Sequence, residues 1–147
     1  MTRTTTAEAG TESAFATALV RMHHVVQYVF ADVSREHGVT PQQAQLLCVL
    51  AGGPVGMTEL SRVLHLEKSS LTGLVDRVER RGLVARVSDP RDRRTCRISL
   101  TPEGALLGEK VHGKICAQLD VLGEAMPEAD RHRIATALTG VVARYTT

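Results

Sequence analysis

Residues 66–104 read LEKSSLTGLVDRVERRGLVARVSDPRDRRTCRISLTPEG, and the fold turns on how this stretch divides. In its first part Leu71, Leu74, Val75 and Val78 stand at i, i+3, i+4 and i+7, one apolar stripe of a helix, with Gly82 as its stop. Ser69 or Ser70 is the expected N-cap. The second part changes period. GLVARVS has strand composition, and in TCRISLT Cys96, Ile98 and Leu100 alternate with Thr95, Arg97 and Ser99. Between the strands lies SDPRDRR, where Asp89-Pro90 begins a turn and Arg91, Arg93 and Arg94 crowd its tip. Taken alone, such a tip is a solvated charged turn. Placed after a short amphipathic helix and before an alternating strand, it reads as a wing.

Upstream, Thr58 is the expected N-cap of a short helix that buries Leu60, Val63 and Leu64. Only a few residues part it from the next helix, the spacing of a helix-turn-helix. On the second helix Lys68, Ser69, Ser70, Thr72, Gly73, Asp76 and Arg77 lie off the apolar stripe, mostly toward the N-terminal end. Small hydroxyls and glycine permit close approach to a duplex, and helix N-termini favour phosphate. In recognition helices that end reaches base edges in the major groove. A wing beside it reaches the minor groove, whose negative potential draws arginine where the groove is narrow. Lys68 reads as a phosphate ligand. Arg80 and Arg81, near the helix's C-terminal end, suit either the helix dipole or a phosphate.

The charge map agrees. The 147 residues carry a net +2, but from Met57 to Thr101 ten basic residues face six acids, a local +4. A basic middle between mildly acidic flanks marks a polyanion-binding face. Trp is absent and aromatics make up 3%, which argues against base stacking on an aromatic platform. No run of about 18 apolar residues is available to span a membrane. The opening MTRTTTAEAGTES has no apolar core, so residues 1–12 read as a flexible leader rather than a signal peptide. Cys48, Cys96 and Cys116 fit neither a disulfide framework nor a zinc site, and the chain reads as cytoplasmic.

The flanks are helical. Phe15, Leu19, Met22, Val26, Val29 and Val33 alternate in steps of four and three along residues 13–36. After the stop at Gly38, Thr40 is an N-cap with Pro41 at the first helical position. Leu46, Leu47 and Leu50 form the apolar side of that helix, and Gly52-Gly53-Pro54 ends it. Downstream, Thr101-Pro102 starts a helix carrying Leu107, Val111, Ile115, Leu119 and Leu122, and Pro127 opens a last one with Ile134, Leu138, Val141, Val142 and Tyr145. These terminal stripes have no use inside a small winged domain and fit a dimer interface, which would also supply a second half-site. The expected fold is mainly α (α+β), a winged helix-turn-helix with long terminal dimerisation helices and a two-stranded wing. Residues 39–101 form its DNA-binding region, and 13–38 with 102–147 its helical dimerisation region.

The stretch 66–104 resembles the MarR family of bacterial transcriptional regulators: its recognition helix, the GLV link into the wing, the DxxDRR tip and the LTxxG start of the next helix. Weaker agreement, VTPQQAQLLCVL included, runs over roughly residues 15 to 145. The resemblance implies a homodimeric repressor or activator of a pseudo-palindromic double-stranded DNA operator, often released by a small ligand or by oxidation. It implies that Ser69, Ser70, Thr72 and Arg77 face the major groove and that Arg94 enters the minor groove. Asp92 would brace the wing arginines, with Arg91 and Arg93 on phosphate. Gly73 stands where some relatives carry a larger polar or basic side chain, which implies one base contact fewer. Arg97 faces solvent or backbone from its strand.

In relatives, effectors such as phenolic acids bind between the dimerisation region and the DNA-binding lobe. That implies a ligand site near Arg21, His23, His24, Gln27 and Tyr28, where Arg21 could pair with a carboxylate and a histidine could bond a phenol. An exposed or interface histidine is the competing reading. Glu36, His37, Glu109 and His112 lack a metal-typical spacing, and no metal or cofactor is expected. The alternative is thiol-based redox sensing. Cys48 sits among apolar neighbours and reads as buried and inert, Cys96 has the more electropositive surroundings, and Cys116 looks like packing. No nucleophile elbow, phosphate loop, HExxH or dinucleotide fingerprint points to an enzyme. A winged domain serving protein contacts is a third option, against which the basic charge of the lobe weighs.

Overall fold

The computed structural model describes the backbone of residues 6–146 and the side chains from residue 14 on. The described residues form helices α1 (Thr6–Glu36), α2 (Pro41–Leu50), α3 (Met57–Leu64), α4 (Lys68–Arg80), α5 (Pro102–Gly123) and α6 (Glu128–Tyr145). Strands β1 (Val55–Gly56), β2 (Val84–Ser88) and β3 (Cys96–Leu100) make one antiparallel sheet in the order β1-β3-β2. The architecture is a mainly helical winged helix-turn-helix, as the periodicities predict. The β2–β3 wing is the expected hairpin, with Val84 opposite Leu100 and Ser88 opposite Cys96. The third strand is an addition to the expected sheet. Val55 and Gly56 pair with Ile98 and Arg97, but two residues are too few to show a period in sequence.

Helix α1 begins at Thr6, seven residues before the expected start, so part of the expected leader is helical. Residues 1–5 of that leader lie outside the described residues. The start of α2 is as expected: Thr40 caps it, Pro41 opens it, and Gln43 completes a capping box by accepting from the Thr40 N–H at 3.1 Å. Helix α1 stops at Gly38 (φ +68°), where the Val39 N–H reaches back to the Ser34 carbonyl at 3.0 Å. Helix α4 stops in the same way at Gly82 (φ +74°), with Gly82 N–H to Glu79 O at 2.9 Å and Leu83 N–H to Val78 O at 3.2 Å.

Two helix starts differ from expectation. Helix α3 is capped by Gly56 rather than Thr58, because β1 pairing delivers extended backbone straight into the helix at Met57. Helix α4 is capped by Glu67, not by Ser69 or Ser70. The reason is the turn before it. His65 adopts the left-handed conformation (φ 52°), the Leu66 N–H bonds to Ser61 O at 3.1 Å, and Ser61 Oγ donates to Leu66 O at 2.5 Å. So tight a reversal leaves Glu67 as the last non-helical residue, and its carbonyl accepts the first helical bond from the Leu71 N–H at 2.9 Å.

The winged lobe closes over its own core. Leu46, Leu47, Leu60, Leu71, Leu74, Val75, Val78 and Ile98 are all buried in one cluster. A second cluster of Val29, Val33, Val39, Ala44, Val111 and Ile115 fastens α1 and α5 to α2. Between the wing and α5 the fit is tight: a Cβ at Gly104 would lie 1.8 Å from the Leu83 carbonyl oxygen. Thr101 locks the same corner, its N–H donating to Leu83 O (3.1 Å) and its hydroxyl to Gly82 O (2.6 Å), while Oγ1 accepts from the Gly104 N–H at 3.0 Å.

Candidate nucleic-acid interface

Because α4 starts at Lys68, Ser69 and Ser70 occupy its first turn instead of its cap. Both are exposed, and neither hydroxyl is used to cap the helix. Lys68, Thr72 and Arg77 are exposed beside them. Thr72 Oγ1 donates to Lys68 O at 2.8 Å, so only its acceptor lone pairs remain for a partner. Gly73 changes meaning in three dimensions. The Arg77 guanidinium folds back across it, and a Cβ at 73 would stand 3.2 Å from Arg77 Nη1. The arginine tip occupies the space over the glycine, and a side chain at 73 would displace that exposed tip by a few tenths of an ångström.

The arginines of this lobe divide into paired and unpaired. Arg86, on β2, reaches Asp76 Oδ1 and Glu79 Oε1 on α4, each at 2.6 Å. The hydrogen bond to Asp76 chiefly, with the charge of both carboxylates, raises its pKa above the ordinary arginine value. Arg80 Nε donates to Asp76 O at 3.3 Å, and Arg81 Nη1 donates at 3.0 Å to the same Gln43 oxygen that completes the α2 capping box. The Arg86 and Arg81 contacts bind α4 to the rest of the lobe, and the Arg80 bond stays within α4. Lys68, Arg77, Arg91, Arg93 and Arg94 form no ion pair among the described residues.

At the wing tip the two aspartates order the backbone. Asp89 Oδ1 accepts from the Arg91 N–H at 2.9 Å and Asp92 Oδ1 from the Arg94 N–H at 3.0 Å. Thr95 closes the tip, its N–H and Oγ1 both bonding to Asp92 O. Asp92 thus braces the arginine backbone and leaves the guanidinium groups of Arg91, Arg93 and Arg94 exposed. Arg97 departs from expectation: it is only partly exposed, and its Nε is buried without a hydrogen-bond partner.

The residues named as a ligand site fall into two sets. His23 and Gln27 line a cavity of about 340 Å³ with Val26, Phe30, Pro41 and Gln45. Arg21, His24 and Tyr28 are exposed and do not line it. Of the residues weighed for metal, Glu36 pairs with Lys114 and the His37 Nδ1–H donates to Val33 O at 2.8 Å. Burial, and secondarily the neighbouring Cys116, push the Cys48 thiol pKa up. Cys116 is exposed, its Sγ 3.5 Å from His112 Nε2.

A helix-turn-helix with a hairpin wing, unpaired cations and free hydroxyls defines a winged-helix DNA-binding protein. The MarR family model matches residues 37–95. The homoprotocatechuate degradative operon repressor of Escherichia coli is 32% identical over 99 residues, 67% of each chain. The HTH-type regulator YsmB of Bacillus subtilis is 37% identical over 81 residues, 54% of this chain and 56% of that one. The crystal structure of CouR from Rhodococcus jostii RHA1, bound to p-coumaroyl-CoA, superposes with a TM-score of 0.76 over 87% of this chain and 91% of that one, at 26% identity. The chain belongs to the MarR family of DNA-binding transcriptional regulators. Family and fold are those of regulators, not of enzymes.

Proposed function

We propose that this chain is a homodimeric repressor that binds a pseudo-palindromic operator and is released by a small aromatic acid. The observation that carries the DNA-binding geometry is that Lys68 at the start of α4 and Asp89, Thr95 and Cys96 at the base of the wing line one cleft. The two elements that would enter neighbouring grooves are thereby held side by side. Ser69, Ser70, Thr72 and Arg77 face the major groove, Arg94 the minor groove, and Lys68, Arg91 and Arg93 the phosphates. Residues 13–38 and 102–147 serve as the dimerisation region. This is supported by the apolar face of α6, which has no buried residue and exposes Ile134, Leu138, Val141 and Val142.

The effector site is the cavity beside His23 and Gln27, an apolar space with a few polar groups. The E. coli relative is named for an operon degrading an aromatic acid, and CouR holds an aromatic acyl thioester. Titration of the protein with a duplex it selects from a random-sequence pool tests the reading. Affinity should fall steeply with salt, and an aromatic acid that raises the melting temperature should release the duplex. Salt-insensitive binding overturns the proposal.

A further inference from the structure

We infer that a backbone phosphate of the bound duplex seats in the cleft between α3, the start of α4 and the base of the wing, held by Arg97, Arg62 and Lys68. The inference rests on the DNA-binding reading above and adds Arg97 and Arg62 to it, residues outside the α4 face and the wing tip. The cleft has a volume of about 620 Å³. Arg97 enters it from β3, where its cross-strand neighbours on the same face are Gly56, which has no side chain, and Val87, which has no polar side-chain atom. Its Nε is buried and unpartnered among the described residues, an unfavourable state for a charged donor unless a further acceptor arrives.

The other charges on the cleft leave that need unmet. Arg62 and Lys68 line it and form no ion pair among the described residues. Two carboxylates border it too. Asp89 is engaged by the Arg91 N–H, and Glu59 sits in the first turn of α3, where it complements the helix dipole. Three cations thus line one cleft, and among the described residues none of them is in salt-bridge contact with a carboxylate. The first turn of α3 adds N–H donors, since its Gly56 cap offers no side-chain acceptor.

The position favours a phosphodiester over a free anion. An element in the major groove and one in the adjacent minor groove straddle a single sugar-phosphate strand. The start of α4 and the base of the wing are two walls of this cleft, so that strand must pass across it. A phosphodiester presents two unesterified oxygens and one negative charge, which suits one guanidinium with a second cation alongside.

The test is the salt dependence of affinity for a duplex selected by the wild-type protein, compared with Arg97→Met and Arg62→Gln. Each substitution should lower the slope of log K against log [salt] by about 0.9 for every phosphate that a protomer no longer neutralises. The weakening should be uniform across operator variants, with Arg97→Lys restoring part of the slope. Arg62 is an exposed side chain, so Arg62→Gln carries the test if Arg97→Met fails to fold. Unchanged slopes in both variants, with wild-type binding intact, overturn this inference and leave the regulator reading standing. Wild-type binding without salt dependence overturns both. Altered preference at one base pair assigns the arginine to base reading and overturns the inference. So does an Arg97-dependent thermal shift by inorganic phosphate without DNA and with an unchanged slope, which would assign the cleft to a free anion.

Discussion

The winged lobe and the terminal helices treat their apolar residues in opposite ways. In the lobe, Leu60, Leu71, Val75, Val78 and Ile98 are fully buried, and the charged residues are left outside. In α6 no residue is buried, and Ile134, Leu138, Val141 and Val142 are 44–60% exposed. Helix α1 is divided along its length. Val29 and Val33 sit in the core beside α2 and α5, whereas Phe15, Leu19 and Met22 are exposed. A single chain therefore buries two apolar clusters and leaves the apolar residues of α6 and, among the described residues, of the first half of α1 uncovered. The apolar residues of the lobe are covered by the lobe itself, and those of α6 are not covered within the chain. On the proposed reading a second copy covers them.

Breaking the ends should cost most. Leu138→Asp is expected to yield a folded monomer in sedimentation and to weaken operator binding by roughly 10³-fold, because the second half-site is no longer tethered. A Leu138→Asp dimer would remove α6 from the interface. In the lobe, Gly104→Ala drives a methyl into the Leu83 carbonyl and should destabilise the fold by about 3 kcal/mol in denaturant unfolding. Little destabilisation there would mean that the corner between β2 and α5 yields more easily than its hydrogen bonds suggest.

The arginines sharpen the same contrast within the lobe. Arg94→Ala should weaken operator affinity by about 2 kcal/mol, some thirtyfold, with an unchanged melting temperature. Arg86→Ala should do the reverse, costing about 1 kcal/mol or less of stability because its pairs are at the surface, and leaving the salt slope of binding intact. Equal effects of the two on DNA binding would erase the distinction between paired and unpaired cations. The smallest effect concerns the thiols. Iodoacetamide near pH 7 should label exposed Cys116 well before Cys48, whose raised pKa disfavours the thiolate. Since the folded value lies above the ordinary 9.0, the Cys48 contribution to stability is present below about pH 9 and declines as pH rises past it.

Much of the fold is legible in single residues. Thr40-Pro41 and Thr101-Pro102 start their helices as expected, because a hydroxyl cap followed by a proline acts within one turn. The α4 stripe holds because period alone decides which face is buried, whereas along β3 only Ile98 is buried and Arg97 and Ser99 are as half-buried as Cys96 and Leu100. The start of α4 is not legible in this way, since serine is a good cap anywhere but the His65 turn sets where the helix begins. Gly73 suggests in sequence an absent base-reading side chain, and only the structure shows the Arg77 tip lying over it. The SDPRDRR tip is a turn in sequence and in structure, but which atoms Asp92 holds is a matter of the backbone around it.

By itself the sequence determined the order of the helices and of the two wing strands, the family resemblance and the surplus of positive charge on the winged segment. The order and the charge follow from local period, caps and composition, which act over a few residues, and the family from the resemblance carried by residues 66–104. Only the tertiary structure decided which cations are free. Arg86 and Arg94 are the same residue type on one hairpin. One meets Asp76 and Glu79 across the α4–β2 packing, and the other projects from a tip held rigid through its own N–H. That distinction depends on contacts between residues distant in sequence, as do the burial of Arg97 Nε and the exposure of the α6 face.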